Sequence, residues 1–237
     1  GDIGIVNNVS DNSYHVVISS GAVGSAELNG LTITKGNASE EETIVVNNNY
    51  LLIGFGGGMY NFSSFPRIYN CIFSGNIANY GGGGMHNSSS SPTISNSIFS
   101  GNKADFGGGM NNDNSSPIIS NSTFSGNFST QFGGGMHNSI SSPTISNSLF
   151  YGNNLEYLND VSASFSIIQG GNTGIGNLDI DPLFVNAPSY TTAPFTGGDY
   201  RLQPCSPAIN AGNNTLISSG ITTDIVGNPR IYETTVD

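Results

Sequence analysis

Charge is scarce in this chain. Charged residues make up 9% of 237 residues, against roughly a quarter in an ordinary soluble domain. The surface must therefore be polar through hydroxyls and amides. Positive charge is scarcer still. Lys35, Lys103, Arg67, Arg201 and Arg230 are the only cations, and the net charge is −11. Five scattered cations cannot build the basic stripe that nucleic acid requires. The same shortage speaks against anionic polysaccharides and anionic lipid. No apolar run approaches the roughly 18 residues of a membrane span, so this segment does not insert in a membrane. Cysteine is nearly absent. Cys71 and Cys205 are far apart and neither sits in a C-x-x-C pair, so nothing points to zinc or thiol redox chemistry. Cys71 shares a repeat column with Ser97, Ser122 and Ser148 and reads as a small buried residue; a Cys71–Cys205 disulfide is left open. The chain opens Gly1-Asp2 without a leader, as expected of a processed or trimmed chain.

Hydrophobic residues reach 36%, and Gly, Asn and Ser fill the gap. Small polar residues at this density imply disorder unless a repeat puts them to use in turns and ladders. A repeat is present. Met59, Met85, Met110 and Met136 are spaced by 26, 25 and 26 residues. Pro66, Pro92, Pro117 and Pro143 keep the same register, as do Phe73, Phe99, Phe124 and Phe150. The shared pattern is GGGM-x-N, four variable residues, then P-x-I-x-N-x-x-F-x-G-N. No leucine framework accompanies it, and Gly, Asn, Ser and β-branched residues oppose helix. The period predicts an all-β chain, a right-handed parallel β-helix with three short strands per coil.

The three strands are represented by Gly84-Met85-His86-Asn87, Thr93-Ile94-Ser95-Asn96 and Ile98-Phe99-Ser100. Alternation places Met85, Ile94 and Phe99 inward, and the repeat extends each into a column at about 4.8 Å per rung. Asn76, Asn102, Asn127 and Asn153 form a column after glycines, where bends are expected. Asn tolerates left-handed backbone and can bond its neighbours along a ladder. Asn61, Asn87, Asn112 and Asn138 form a second column, and Asn70, Asn96, Asn121 and Asn147 a third. The GGG runs lack the following helix and Lys of a phosphate loop and read as tight corners.

The whole chain, 1–237, reads as one β-helix domain. Residues 56–153 are the four regular repeats. Residues 1–55 hold degenerate coils, with Tyr14–Ala38 echoing a repeat. An inserted acidic loop at 39–55 opens with Glu40, Glu41 and Glu42, read as solvated. Residues 154–237 read as divergent coils with a cap, because an open β-edge invites pairing with other chains.

These repeats resemble those of bacterial right-handed β-helix surface proteins, the polymorphic outer-membrane and adhesin-like group with GG-hydrophobic and F-x-x-N motifs. F-x-x-N stands here as Phe73–Asn76, Phe99–Asn102, Phe124–Asn127 and Phe150–Asn153. The C-terminal stretch is similar to the end of large secreted β-helix proteins that carry a surface anchor. The matching runs are Asp181-Pro182-Leu183-Phe184-Val185-Asn186, Gly198-Asp199-Tyr200-Arg201-Leu202, Ser206-Pro207-Ala208-Ile209, Gly227-Asn228-Pro229-Arg230 and Val236-Asp237. Asn210 stands where such proteins often carry Asp. The resemblance implies an extracellular, cell-surface location.

Parallel β-helices also include pectate lyases and polygalacturonases, and fold alone does not decide chemistry. Within the repeats the carboxylates are Asp105 and Asp113, both expected in turns or loops, and Arg67 has no acidic residue expected in its row. No catalytic residue and no cofactor is assigned. Outward columns are hydroxyl and apolar. Ser74, Ser100 and Ser125 make one row. Ile72, Ile98, Thr123 and Leu149 make another, and Tyr60, His86, Asn111 and His137 a third; the last two are read as faces open to partners. His86 and His137 would stand roughly 10 Å apart, too far to share a metal with bonds of about 2 Å. Asp179 and Asp181 are weak calcium candidates, because carboxylates suit that ion. Together these features point to a non-enzymatic surface protein: an adhesin, a matrix component or a fibre subunit. Its partners would be other copies, or glycans or proteins of the cell surface or matrix. A polysaccharide-active enzyme or carbohydrate-binding module is the alternative. It would be favoured by a groove gathering Asp or Glu with Arg201 or Arg230. An ice-binding solenoid is the minor alternative, because the column Arg67, Thr93, Ile118, Thr144 is irregular.

Overall fold

The computed structural model describes residues 13–155, 158, 160–232 and 235–236. Gly1-Asp2 and Asp237, noted above, lie outside them. The chain winds as a parallel β-helix, and like residues stack coil upon coil. The Met sheet holds Val17–Ser20, Met59–Phe62, Met85–Ser88, Met110–Asp113 and Met136–Ser139. The Ile sheet holds Glu27–Asn29, Arg67–Tyr69, Thr93–Ser95, Ile118–Ser120, Thr144–Ser146 and Ser162–Ser164. The Phe sheet holds Thr32–Thr34, Ile72–Ser74, Ile98–Ser100, Thr123–Ser125, Leu149–Phe150 and Ile167–Ile168. Pairing is residue on residue: Met85 lies opposite Met59 and Met110, and Phe99 opposite Phe73 and Phe124.

The Met, Ile and Phe columns form one core. All twelve of these side chains in the four repeats are fully buried. The Phe rings stack with centroids 4.3 to 4.6 Å apart. Each coil buries its apolar residues against the coils above and below, which is how a narrow solenoid obtains a core.

A fourth, shorter ladder joins the three expected ones. It holds Asn37–Ala38, Ile77–Ala78, Lys103–Phe106 and Phe128–Phe132, with Ala38, Ala78 and Ala104 as a second small core. Its register slips between Ala104 and Phe106. The uneven repeat length sits in this corner, because Phe99 and Met110 are one residue closer in sequence than Phe73 and Met85 or Phe124 and Met136. The glycine runs follow it. A Cβ on Gly83 would lie 2.5 Å from the Lys103 carbonyl oxygen, so only glycine lets adjacent coils approach there.

Several polar columns knit the coils, two asparagine ladders and two serine columns among them. Asn102 Nδ2 donates to the Phe73 carbonyl at 2.9 Å and to Asn127 Oδ1 at 2.9 Å, and its Oδ1 accepts from the Asn76 backbone at 3.0 Å. Asn61, Asn87, Asn112 and Asn138 form a second ladder with amide–amide bonds of 2.8 to 2.9 Å. Left-handed backbone was expected at the Asn76 column. It belongs instead to the glycines before it and to Asn70, Asn96, Asn121 and Asn147, with φ of +47° to +55°. Cys71 is buried, as its column suggested, and Cys71 and Cys205 are both free thiols.

The echo at Tyr14–Ala38 is a complete coil in register with the first repeat. The insertion is not an irregular loop. Thr43–Val46 and Asn49–Leu52 form an antiparallel hairpin closed by Asn47 and Asn48 at φ +50° and +61°. Positive φ at both turn residues suits the twist of a two-residue hairpin. Glu40, Glu41 and Glu42 lie exposed ahead of it. At the other end, Ser162–Ser164 and Ile167–Ile168 add a further partial coil. Leu178 pairs in parallel with Ile167 as a last rung, and the chain then returns along the flank of the solenoid.

Candidate functional site

The returning segment is a strap with two limbs. The first contains the antiparallel strands Phe184–Asn186 and Asp199–Leu202. It crosses the glycines that follow the Phe strands. Phe195 N donates to the Gly101 carbonyl at 3.0 Å. A Cβ on Gly101 would lie 2.4 Å from the Phe195 oxygen, and one on Gly126 2.6 Å from the Phe195 ring. These glycines, read from sequence as bends (and Gly101 does have φ +60°), also form the seat of the strap.

The second limb lies on the Asn70 column. Asn147 Nδ2 donates to the Asn213 carbonyl at 2.9 Å, and Asn147 Oδ1 accepts from Asn213 N at 2.8 Å. One side-chain amide thus clasps both backbone groups of one extended residue, Asn213 having φ −115° and ψ 116°. Two rungs away, Asn96 Nδ2 donates to the Thr223 carbonyl at 3.2 Å, and Arg230 Nη2 donates to Asn96 Oδ1. Between these rungs Ser218 Oγ meets Ser120 Oγ at 2.8 Å.

A channel of about 760 Å³ runs between the limbs. That size falls within the range of small-molecule sites, about 300–1,000 Å³. Ile72, Ile98, Thr123, Leu149 and Ile167 form its floor on consecutive rungs, and Asn96, Asn121 and Asn147 line it beside them. The Ile72 row was expected to be an open face. It is half-buried under the chain's own strap. Ser74, Ser100 and Ser125, also expected outward, are buried on the same flank.

The third predicted face is corrected as well. Tyr60, His86 and Asn111 are buried, and His137 is half-buried. They do point away from the core, but the corner segments fold over them. Phe55 stacks on His86 at 4.4 Å, and Phe106 lies 5.1 Å from His137. Asn111 fills the rung between the two histidines. Its Nδ2 donates to His86 Nδ1 at 3.0 Å, and its Oδ1 accepts from His137 Nδ1 at 2.8 Å. Burial drives the His86 pKa down to about 3, and the proximity of His15 adds to the effect. Burial raises the Tyr60 hydroxyl to about 12, with Asp113 contributing. The column is an uncharged internal network.

The carboxylates of the channel are committed elsewhere. Asp199 accepts from Arg201 Nε at 2.9 Å and Nη2 at 2.5 Å, and this pairing holds its carboxyl below the usual range. Asp224 accepts from the backbones of Val226 and Asn228 and from the Asn228 amide. The calcium candidates also close turns. Asp179 accepts from Gly170 N at 3.1 Å and Asp181 from Leu183 N at 2.8 Å. Among the described residues no group of three or more His, Cys, Asp or Glu is placed to hold a metal. Asp113 ends a Met-sheet strand and Asp105 lies within the corner ladder, not in loops. Arg67 has an acidic partner after all. Glu27 of the degenerate first coil lies opposite it, with the charges 3.9 Å apart.

No family model, curated protein or solved structure matches this chain.

Proposed function

We propose that this is a non-enzymatic extracellular binding module, an adhesin or matrix component, which holds an uncharged ligand in the channel between coil flank and strap. The observation that carries this reading is the state of the channel's ionisable groups. Glycoside hydrolysis uses two carboxyl groups flanking the scissile bond, one of them an acid with a raised pKa. Asp199 is ion-paired with its pKa lowered, and Asp224 is spent on a turn. Arg201 is paired with Asp199 and Arg230 donates to Asn96, and the rest of the lining is mostly amide, hydroxyl and aliphatic surface, which binds and orients a ligand. The likeness to bacterial surface β-helices supports a location outside the cell.

One observation favours the second reading, a polysaccharide-active enzyme. Asp199, Arg201, Asp224 and Arg230 all line the one channel. Assays for new reducing ends and for unsaturated products on pectin, alginate and neutral glycans, with and without calcium, separate the two. The module reading expects saturable binding to an immobilised ligand and no product on any substrate. Turnover above the rate of a denatured sample would establish the enzyme instead.

A further inference from the structure

We infer that the channel takes an extended, uncharged peptide segment, whose backbone is read by Asn121. This rests on the binding-module reading and names its ligand class.

Asn96, Asn121 and Asn147 stand at equivalent positions on three successive coils with the same left-handed backbone. The outer two are satisfied, Asn147 by both backbone groups of Asn213, and Asn96 by the Thr223 carbonyl, Arg230 and the Asn70 amide of the adjacent coil. Asn121 is 8% exposed, lines the channel, and neither atom of its amide has a hydrogen-bond partner among the described residues. A buried donor or acceptor left unmade is costly, so native structures rarely leave both atoms of one amide empty. The strap passes this rung as an arc from Asn214 to Thr222, much of it half-exposed, meeting it through Ser218 on Ser120. The arc leaves the Asn121 amide without a partner, and the amide lines the channel.

The neighbouring rung shows what satisfies such an amide. Asn147 clasps the N–H and C=O of a single extended residue. Asn154 does the same to a strand edge, its Nδ2 donating to the Ser129 carbonyl at 2.6 Å and its Oδ1 accepting from Ser129 N at 2.6 Å. In an extended residue these two backbone groups point to the same side, matching the side-by-side oxygen and NH₂ of Asn. An N-acetyl group of a sugar points its N–H and C=O in opposite directions, because its amide is trans. It can therefore engage only half of the Asn121 amide. The aliphatic floor accepts the alternate side chains of a strand, and Asp199 and Arg201 neutralise each other at the channel wall.

Nuclear magnetic resonance on the ¹⁵N-labelled full chain tests this. The probe is an N-acetylated, C-amidated Val-Ser-Val-Thr-Val peptide, with oligomers of glucose and of N-acetylglucosamine as comparators. The expected result is a saturable shift of the Asn121 side-chain NH₂ with the peptide. Asn121→Gly, which suits the positive φ, should lower affinity by about tenfold or more. The inference is overturned if the peptide leaves that resonance unmoved, if a resident water alone accounts for its environment, or if only the sugars shift it. In that last case the binding-module reading survives with a different ligand. Cleavage of any probe would instead bring down the module reading.

Discussion

Phe99 and Phe124 lie face to face with centroids 4.5 Å apart and ring planes 4° from parallel, although a whole coil of chain separates them. Both are fully buried, and each also stacks on a further Phe, so a gap at either position cannot be closed by its neighbours moving along the column. Phe124→Ala should therefore fall in the range of about 3–5 kcal/mol lost, as for other buried Phe truncations. Chemical denaturation checks it; a loss under 1 kcal/mol would mean that the stack carries little of the stability.

Ile140 makes the opposite case. It is 85% exposed and sits at φ +50°, at the turn position that Ser63, Ser89 and Asn114 occupy in the other coils. Left-handed backbone is unfavourable for a β-branched residue by about 1–2 kcal/mol, and Asn tolerates it. Ile140→Asn is expected to raise stability by about 1 kcal/mol. An unchanged or lower melting temperature would refute the strain.

The Met, Ile and Phe columns were legible in the sequence because each coil repeats the previous one, so one pattern fixes many contacts. The strap was not. Phe195, Asn213 and Thr223 each meet a different rung, and contacts made once leave no period to read. The Ile72 and Tyr60 rows were read correctly as pointing away from the core. Strand alternation cannot say whether a further segment lies over them. The hairpin did have a local signal, Asn47-Asn48 between alternating residues, which the neighbouring run of Glu obscured. Asn121 looked like its column mates, and only the path of the strap sets it apart.

The seating of the strap can be tested within one column. Gly101 and Gly152 both have positive φ, but a Cβ on Gly101 meets Phe195, while one on Gly152 meets only Ser125 Oγ at 3.4 Å. Gly152→Ala should cost about 1–2 kcal/mol through backbone alone. Gly101→Ala should cost more and should also expose residues 184–230 to limited proteolysis. Equal behaviour of the two variants would show that Phe195 does not seat the strap.

Stability should fall on acidification because of His86. Its folded pKa of about 3 lies below the ordinary 6.5, so between those values the unfolded chain binds a proton that the folded chain refuses. Stability is thus full above about pH 6.5 and declines as pH drops toward 3, by on the order of 4 kcal/mol. His15, also lowered by burial, acts in the same direction. Urea titrations from pH 7 to 4 measure the slope. His86→Asn, which copies the residue at position 111, should flatten it, and an unaltered slope would assign the acid sensitivity elsewhere.

The register slip between Ala104 and Phe106 gives the solenoid an expansion joint. Coils of unequal length leave the Met, Ile and Phe stacks in step, because the difference is taken up at this corner. The hairpin at 43–52 emerges from the equivalent corner of the first coil, again without disturbing the rungs. A foreign loop spliced there would ride on the outside of the rod at a chosen height, and several could be set one above another along its length.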